Sequence, residues 1–146
     1  TDPLTGLGNR RLFEEALAAE ISRAQRYGRT ASLILLDLEG FKQINERYGY
    51  GTGDEALKRF AAWLRRHTRK CDILARIGGD EMAIICPETD LRGAQGLAER
   101  IVRAGRQLQL LPGISVSVRA AFDELRPGDT TSTIYRRVAD RLSQTE

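Results

Sequence analysis

The seven residues Arg76-Ile77-Gly78-Gly79-Asp80-Glu81-Met82 constrain the fold of this 146-residue chain more than any other segment. They join two runs, Asp72 to Ile77 and Met82 to Cys86. A Gly-Gly pair in that setting reads as a hairpin, because both turn residues can take positive φ. Two consecutive carboxylates then sit at the tip. Adjacent strand residues point to opposite faces, so Asp80 and Glu81 are expected to do different work. One faces a cleft as a metal ligand or base and the other faces the flanking structure. Taken alone, the same residues also suit a solvated turn.

The upstream segment from Leu33 to Asn45 sharpens the reading. The apolar run Leu33-Ile34-Leu35-Leu36 ends in Asp37, followed by Leu38, Glu39, Gly40 and a helix-like pattern from Phe41. Such a run reads as a buried strand, and ligands of α/β sheets gather where strands end. At that end the Asp37 carboxylate can hold a hard cation through oxygen. Asn45, Gly49, Gly51, Gly53 and Asp54 follow. Asp54 offers two acceptor oxygens that match the N1–H and N2–H₂ donors of guanine, and the Asn45 amide supplies a donor and an acceptor. Each residue alone is an ordinary cap or turn former.

The remaining elements come from periodicity. Arg11 to Tyr27 carries a helical apolar stripe, stopped by Gly28. Ala31 to Leu38 is the first strand, Phe41 to Tyr48 a short helix and Asp54 to His67 a longer one. The hairpin strands are Ile73 to Ile77 and Met82 to Cys86. Leu91 to Leu110 reads as one long helix, Gly113 to Phe122 as an edge-like strand, and Thr130 to Gln144 as a closing helix capped by Asp129 or Thr130. After the opening helix, the order β-α-α-β-β-α-β-α suits an α+β fold. The expectation is a ferredoxin-like antiparallel sheet with surrounding helices, placed on one face.

Composition excludes several classes. The length suits one core, so residues 1–146 are expected to form a single domain. A net charge of +3, with acids interleaved among the bases, gives no argument for nucleic acid. The densest basic run, Arg65, Arg66, Arg69 and Lys70, also suits a solvated helix end. No stretch approaches the roughly 18 apolar residues of a membrane span, so any membrane anchor of the full-length protein lies outside these residues. Cys71 and Cys86 are expected to be reduced thiols of a cytoplasmic domain.

Across nearly its whole length the chain resembles the GGDEF domains that act as diguanylate cyclases. Asp2-Pro3-Leu4-Thr5-Gly6-Leu7-Gly8-Asn9-Arg10 is similar to the family's D-x-L-T-G-L-x-N-R opening. Asp37 to Asp54 follows D-x-D-x-F-K-x-x-N-D-x-x-G-H-x-x-G-D with changes, and Arg76 to Met82 matches R-x-G-G-D-E-F. The resemblance implies the nucleotidyl-cyclase-like GGDEF fold and the output domain of a longer signalling protein with an upstream sensory domain. It implies that two GTP molecules are joined into cyclic di-GMP with release of two pyrophosphates, each domain of a homodimer holding one GTP. Carried over, Asp37 and Asp80 become ligands of Mg²⁺, with Mn²⁺ as an alternative, and Leu38 adds a backbone carbonyl. Asp80 or Glu81 helps deprotonate the nucleophile. The amides of Gly40 and Phe41 cradle the triphosphate, Lys42 neutralises developing charge, Gly79 lines the substrate, and Asn45 and Asp54 read guanine.

The tetrapeptide Arg69-Lys70-Cys71-Asp72 is an R-x-x-D with five residues between Asp72 and Gly78. In the family this marks an inhibitory site for cyclic di-GMP, with Arg100 a candidate second arm. Arginine suits it, because a guanidinium forks to phosphate or stacks on guanine. Departures are also informative. Glu39 replaces the second Asp of D-x-D, Gly40 a frequent His, Glu46 an Asp, Tyr50 a His, and Met82 the Phe. Ser117-Val118-Arg119 stands where the family shows S-x-G. Gln144 takes the position of a closing-helix Tyr, and the position of a triphosphate-binding Lys falls beyond Glu146. Arg136, Arg137 and Arg141 are the candidate substitutes. The alternatives to a cyclase are a catalytically weak receptor for cyclic di-GMP and a GTP-binding regulatory module.

Overall fold

A computed structural model describes residues 1–145. The chain begins with a loop and helix α1, Arg10–Tyr27, then strand β1, Ala31–Glu39. Helices α2, Phe41–Tyr48, and α3, Tyr50–Arg66, precede the hairpin of β2, Ile73–Gly78, and β3, Glu81–Pro87. Helix α4, Leu91–Ala104, leads to strands β4, Leu108–Leu111, and β5, Ile114–Glu124, and helix α5, Thr131–Ser143, follows. The strands form one antiparallel sheet in the order β2-β3-β1-β5-β4, the α+β arrangement expected.

The apolar run of β1 is continuous because the strand is central and covered on both sides. Ile34, Leu36 and Leu38 pack with Leu57, Phe60 and Leu64 of α3 and Ala94, Leu97 and Ile101 of α4. Leu33 and Leu35 pack instead with Phe13 and Leu17 of α1 and Ile134 and Val138 of α5. Helices therefore lie on both faces, which corrects the one-face expectation. Element order says which strands are present but not which side each connection takes.

The C-terminal half holds the other corrections. Helix α4 stops at Ala104 because the chain turns at Gly105, where an added Cβ would lie 2.4 Å from the Val118 side chain. Leu108 and Leu110 continue the helical spacing, but they belong to β4, which pairs with β5 across Pro112-Gly113. Strand β5 is thus flanked by β1 and β4, and is not an edge. Helix α3 begins at Tyr50 rather than Asp54, since Gly49 alone ends α2 and caps α3.

The opening motif clasps the hairpin. Asp2 accepts from the Thr5 N–H and hydroxyl and pairs with Arg76 at 3.3 Å. Gly8 exchanges hydrogen bonds with the backbones of Leu74 and Arg76. Asn9 caps α1 by accepting from the Leu12 N–H.

Candidate functional site

The site lies where β1 ends. Strand β3 pairs with β1 only as far as Leu36↔Met82, while β5 continues alongside to Glu39↔Ser117. The hairpin tip therefore faces the last residues of β1. Gly78 pairs with Glu81, so the two central turn residues are Gly79 and Asp80, not the two glycines. Only Gly79 has positive φ, +50°, as a turn needing glycine at its first central position requires. Its carbonyl accepts from Arg76 Nε. Asp80 is consequently a turn residue and Glu81 the first residue of β3.

Asp80 turns back on β1. Its Oδ2 accepts from the Leu38 N–H at 3.0 Å. Burial raises its proton affinity, and the nearby Asp37 charge adds to that rise, against the lowering effects of the Leu38 N–H and Arg119. The net direction is upward from the usual carboxylate range. In an antiparallel strand one residue's N–H and C=O point to the same side, so the Leu38 carbonyl also faces the hairpin.

Asp37 meets a residue that the sequence did not connect with it. Arg119, directly opposite on β5, donates from Nε to Oδ1 at 2.8 Å and from Nη2 to Oδ2 at 2.7 Å. This fork occupies both oxygens, and fewer than a fifth of either side chain's surface stays exposed. Glu81 is drawn the other way, its Oε1 accepting from the Tyr135 hydroxyl of α5 at 2.6 Å. Burial and the Glu81 carboxylate hold the Tyr135 hydroxyl up at about 12. The two hairpin carboxylates thus have different neighbours, β1 for Asp80 and α5 for Glu81.

Beyond β1, Gly40 is the N-cap of α2 and makes no side-chain cap bond. The first N–H groups of α2, beginning at Phe41, are thus not taken by a capping side chain, the arrangement that accepts anions. Lys42 is exposed and only loosely paired with Glu46, at 3.9 Å. On the same helix, Asn45 lies against Gly53 of α3. A Cβ at Gly53 would fall 1.8 Å from Asn45 Oδ1, so any larger residue there would displace the Asn45 side chain. That oxygen is buried and has no hydrogen-bond partner. Buried acceptors are normally satisfied, and this one suits a ligand donor. Asp54 is exposed one residue farther along α3.

Asp80, the Leu38 carbonyl and, once freed from the Arg119 fork, Asp37 would form an oxygen donor set that fits a hard divalent cation. The Asp80 proton affinity, raised in part by Asp37, is also what a cation would relieve. Among the described residues no three Cys, His, Asp or Glu side chains cluster as a metal site. Backbone and substrate oxygens would complete the coordination.

The second expected constellation is only partly assembled. Asp72 is buried, and its carboxylate accepts from the Arg69 N–H at 2.9 Å and from Arg69 Nη2 at 3.2 Å. Arg69 Nη2 also donates to Thr89 at 2.6 Å. The Arg69 side chain remains 52% exposed, open to a further partner. Arg100 is exposed on α4 and lines neither of the two depressions beside Arg69. Two of the proposed substitutes for the closing-helix Lys are committed elsewhere. Arg137 binds Asp123 and Asp129, and Arg141 binds Asp123 and the Phe122 carbonyl. Arg136 is exposed.

Sequence reasoning missed Arg119 and Tyr135 as partners of the site's carboxylates. The only signal for Arg119 was its departure from S-x-G, since the contact spans 82 positions.

The profile of the family described as diguanylate cyclase, GGDEF domain, matches residues 1–144. The response regulator PleD of Caulobacter vibrioides is 37% identical over 154 residues, covering 99% of this chain and 33% of that protein. The diguanylate cyclase DgcS of Shewanella oneidensis is 45% identical over 103 residues, covering 70% of this chain and 34% of that protein. The chain thus spans about a third of the length of these relatives. Among solved structures, the diguanylate cyclase SiaD of Pseudomonas aeruginosa, in complex with its activator SiaC, superposes with a TM-score of 0.92. It is 36% identical and covers 98% of this chain and 56% of that one. The GGDEF domain of DgcB from Caulobacter crescentus, in complex with c-di-GMP, gives 0.88 at 29% identity, covering 99% of this chain and 86% of that one.

Proposed function

Because this chain belongs to the GGDEF family of diguanylate cyclase domains, we propose that it condenses two GTP molecules into cyclic di-GMP and two pyrophosphates. The observation that carries this reading is the meeting of Asp37 and Asp80 at the end of β1, directly before a helix without a side-chain cap. In the proposed reaction a ribose 3′-hydroxyl attacks an α-phosphate in line, so catalysis rests on positioning and charge. The amides at the start of α2 hold the triphosphate, and Lys42 leans over it from the first turn. Gly79 borders the substrate at the hairpin tip. Asp37, Asp80 and the Leu38 carbonyl would hold Mg²⁺, or Mn²⁺ in its place. A bound divalent cation would neutralise charge on the reacting phosphate. Asp80 or Glu81 helps to take the hydroxyl proton, and of the two Glu81 is already engaged by the Tyr135 hydroxyl.

Guanine is read by Asn45 and Asp54. The partnerless Asn45 Oδ1 accepts an N–H of the base, and Asp54 accepts another. Two such domains face each other in a homodimer, each supplying one GTP, and a sensory domain elsewhere in a longer cytoplasmic or membrane-anchored protein governs their meeting. Among the described residues no helix is long and apolar enough to cross a membrane.

Incubation with Mg²⁺ and GTP, followed by chromatography, is expected to yield cyclic di-GMP, and ATP to yield no cyclic product. Asn45→Ala is expected to weaken GTP binding by about 1–2 kcal/mol more than ATP binding. No product from GTP would sink the cyclase reading. Equal losses for both nucleotides would reduce Asn45 to a packing residue.

The half-exposed Arg69 guanidinium, fixed on buried Asp72, favours a product-binding site in addition. This is the site that a catalytically weak receptor would retain. Arg69→Ala is expected to weaken cyclic di-GMP binding by about 1.5–3 kcal/mol, the worth of a charged hydrogen bond, while leaving the first turnover of GTP unchanged. Calorimetry on both proteins measures this, and unchanged affinity would leave Arg69 as a surface arginine.

A further inference from the structure

The Asp37 carboxylate already has a cation. Arg119 grips both of its oxygens in a planar fork, and the same guanidinium charge acts on Asp80. It therefore sits where a positive charge serves both carboxylates. Strand register brings this arginine of β5 directly opposite Asp37. A carboxylate oxygen that accepts a short, charge-assisted hydrogen bond cannot ligate a metal along the same direction. The fork is largely shielded from water, with 19% and 18% of the two side chains exposed, so taking the guanidinium away would leave the Asp37 charge in need of another cation.

We infer that Arg119 makes divalent-cation binding at Asp37 conditional on nucleotide. Without nucleotide the guanidinium holds the carboxylate against the metal. A triphosphate entering at the start of α2 offers a second pair of acceptor oxygens, which a guanidinium forks as well as those of a carboxylate. Arg119 then moves to phosphate and Asp37 is released to ligate. Arg119 acts through Asp37 and is a positioning residue. The inference rests on the proposed metal role of Asp37 and Asp80.

Titration of Mn²⁺ into the nucleotide-free protein, read by calorimetry, tests it. Arg119→Gly is expected to bind Mn²⁺ at least about tenfold more tightly than the wild type, the scale of releasing one shielded ion pair. Arg119→Gln removes the charge while keeping bulk on the strand and carries the same expectation, so a poorly folded glycine variant does not decide the matter. Arg119→Lys, which keeps charge but loses the fork, falls between. With a saturating non-hydrolysable GTP analogue the gap is expected to close. Equal nucleotide-free affinities in wild type and variants overturn the inference and leave the metal site standing, and so does a gap that persists with nucleotide. Absence of Mn²⁺ binding in every protein, with and without nucleotide, overturns both.

Discussion

Asp80→Asn is expected to lower cyclic di-GMP formation by roughly 10²–10⁴-fold, the range associated with losing a positioned proton acceptor, while the fold persists. The substitution is nearly isosteric, and an amide oxygen can still accept from the Leu38 N–H that Asp80 now engages at 3.0 Å. What disappears is the negative charge. That charge is sustained against burial and against Asp37, and Asp80 occupies a turn rather than either apolar cluster, so its neutral replacement leaves the core untouched. Asp37→Asn should show a similar loss of activity with a larger effect on stability, because it also breaks the Arg119 fork. A chromatographic product assay beside a thermal melt separates the two effects. Near-full activity in Asp80→Asn would remove Asp80 from the reaction.

The largest effect on stability is expected far from the hairpin. Arg137 of α5 donates to Asp123, to both oxygens of Asp129 and to the Glu124 carbonyl. Both carboxylates are buried, at 3% and 8% exposure, and removing their shared guanidinium takes from Asp129 its cationic partner, while Asp123 keeps Arg126 and Arg141. Breaking such pairs costs about 3–5 kcal/mol. The lower figure is expected, since Arg137 keeps 19% of its side chain in solvent and Arg141 still reaches Asp123. For Arg137→Ala a loss of about 3 kcal/mol corresponds to a fall in Tm of roughly 6–12 °C for a domain of this size. The pH dependence follows from the carboxylates. The Arg137 hydrogen bond is the chief cause that holds Asp129 far below the ordinary range. Burial raises Asp123, but hydrogen bonds from Arg137 and Glu124 and the charges of Arg141 and Arg137 bring its net shift down. Groups depressed by folding stabilise fully above their unfolded values, near pH 4, and lose that contribution as pH falls through the folded values. Urea unfolding of wild type and Arg137→Ala should therefore differ most near neutrality and converge in acid. A constant difference across that range would show that Arg137 acts by packing alone.

The amino-acid sequence by itself determined the local pieces of the candidate site. Gly78 and Gly79 between apolar runs marked the hairpin, the run ending in Asp37 marked a buried strand, and the spacing from Phe41 to Tyr48 marked α2 with the bounds observed. Turn chemistry and periodicity act over a few residues, so they are written where they operate. The C-terminal half was less legible for the same reason. Leu108 and Leu110 satisfy helical spacing, but the chain turns at Gly105, packed closely against Val118, and the pairing of β4 with β5 takes these residues out of the helix. The placing of helices on both faces, the hydrogen bond from Tyr135 to Glu81 and the commitment of Arg137 and Arg141 to buried acids were likewise decided in three dimensions. Arg119 shows the division most clearly. Its identity was visible as an arginine in place of a family glycine, yet its partner was not. A one-residue slip of β5 against β1 would turn Arg119 to the opposite face of the sheet. Register across 82 positions is set by packing of the whole sheet, and it alone brings the guanidinium onto Asp37.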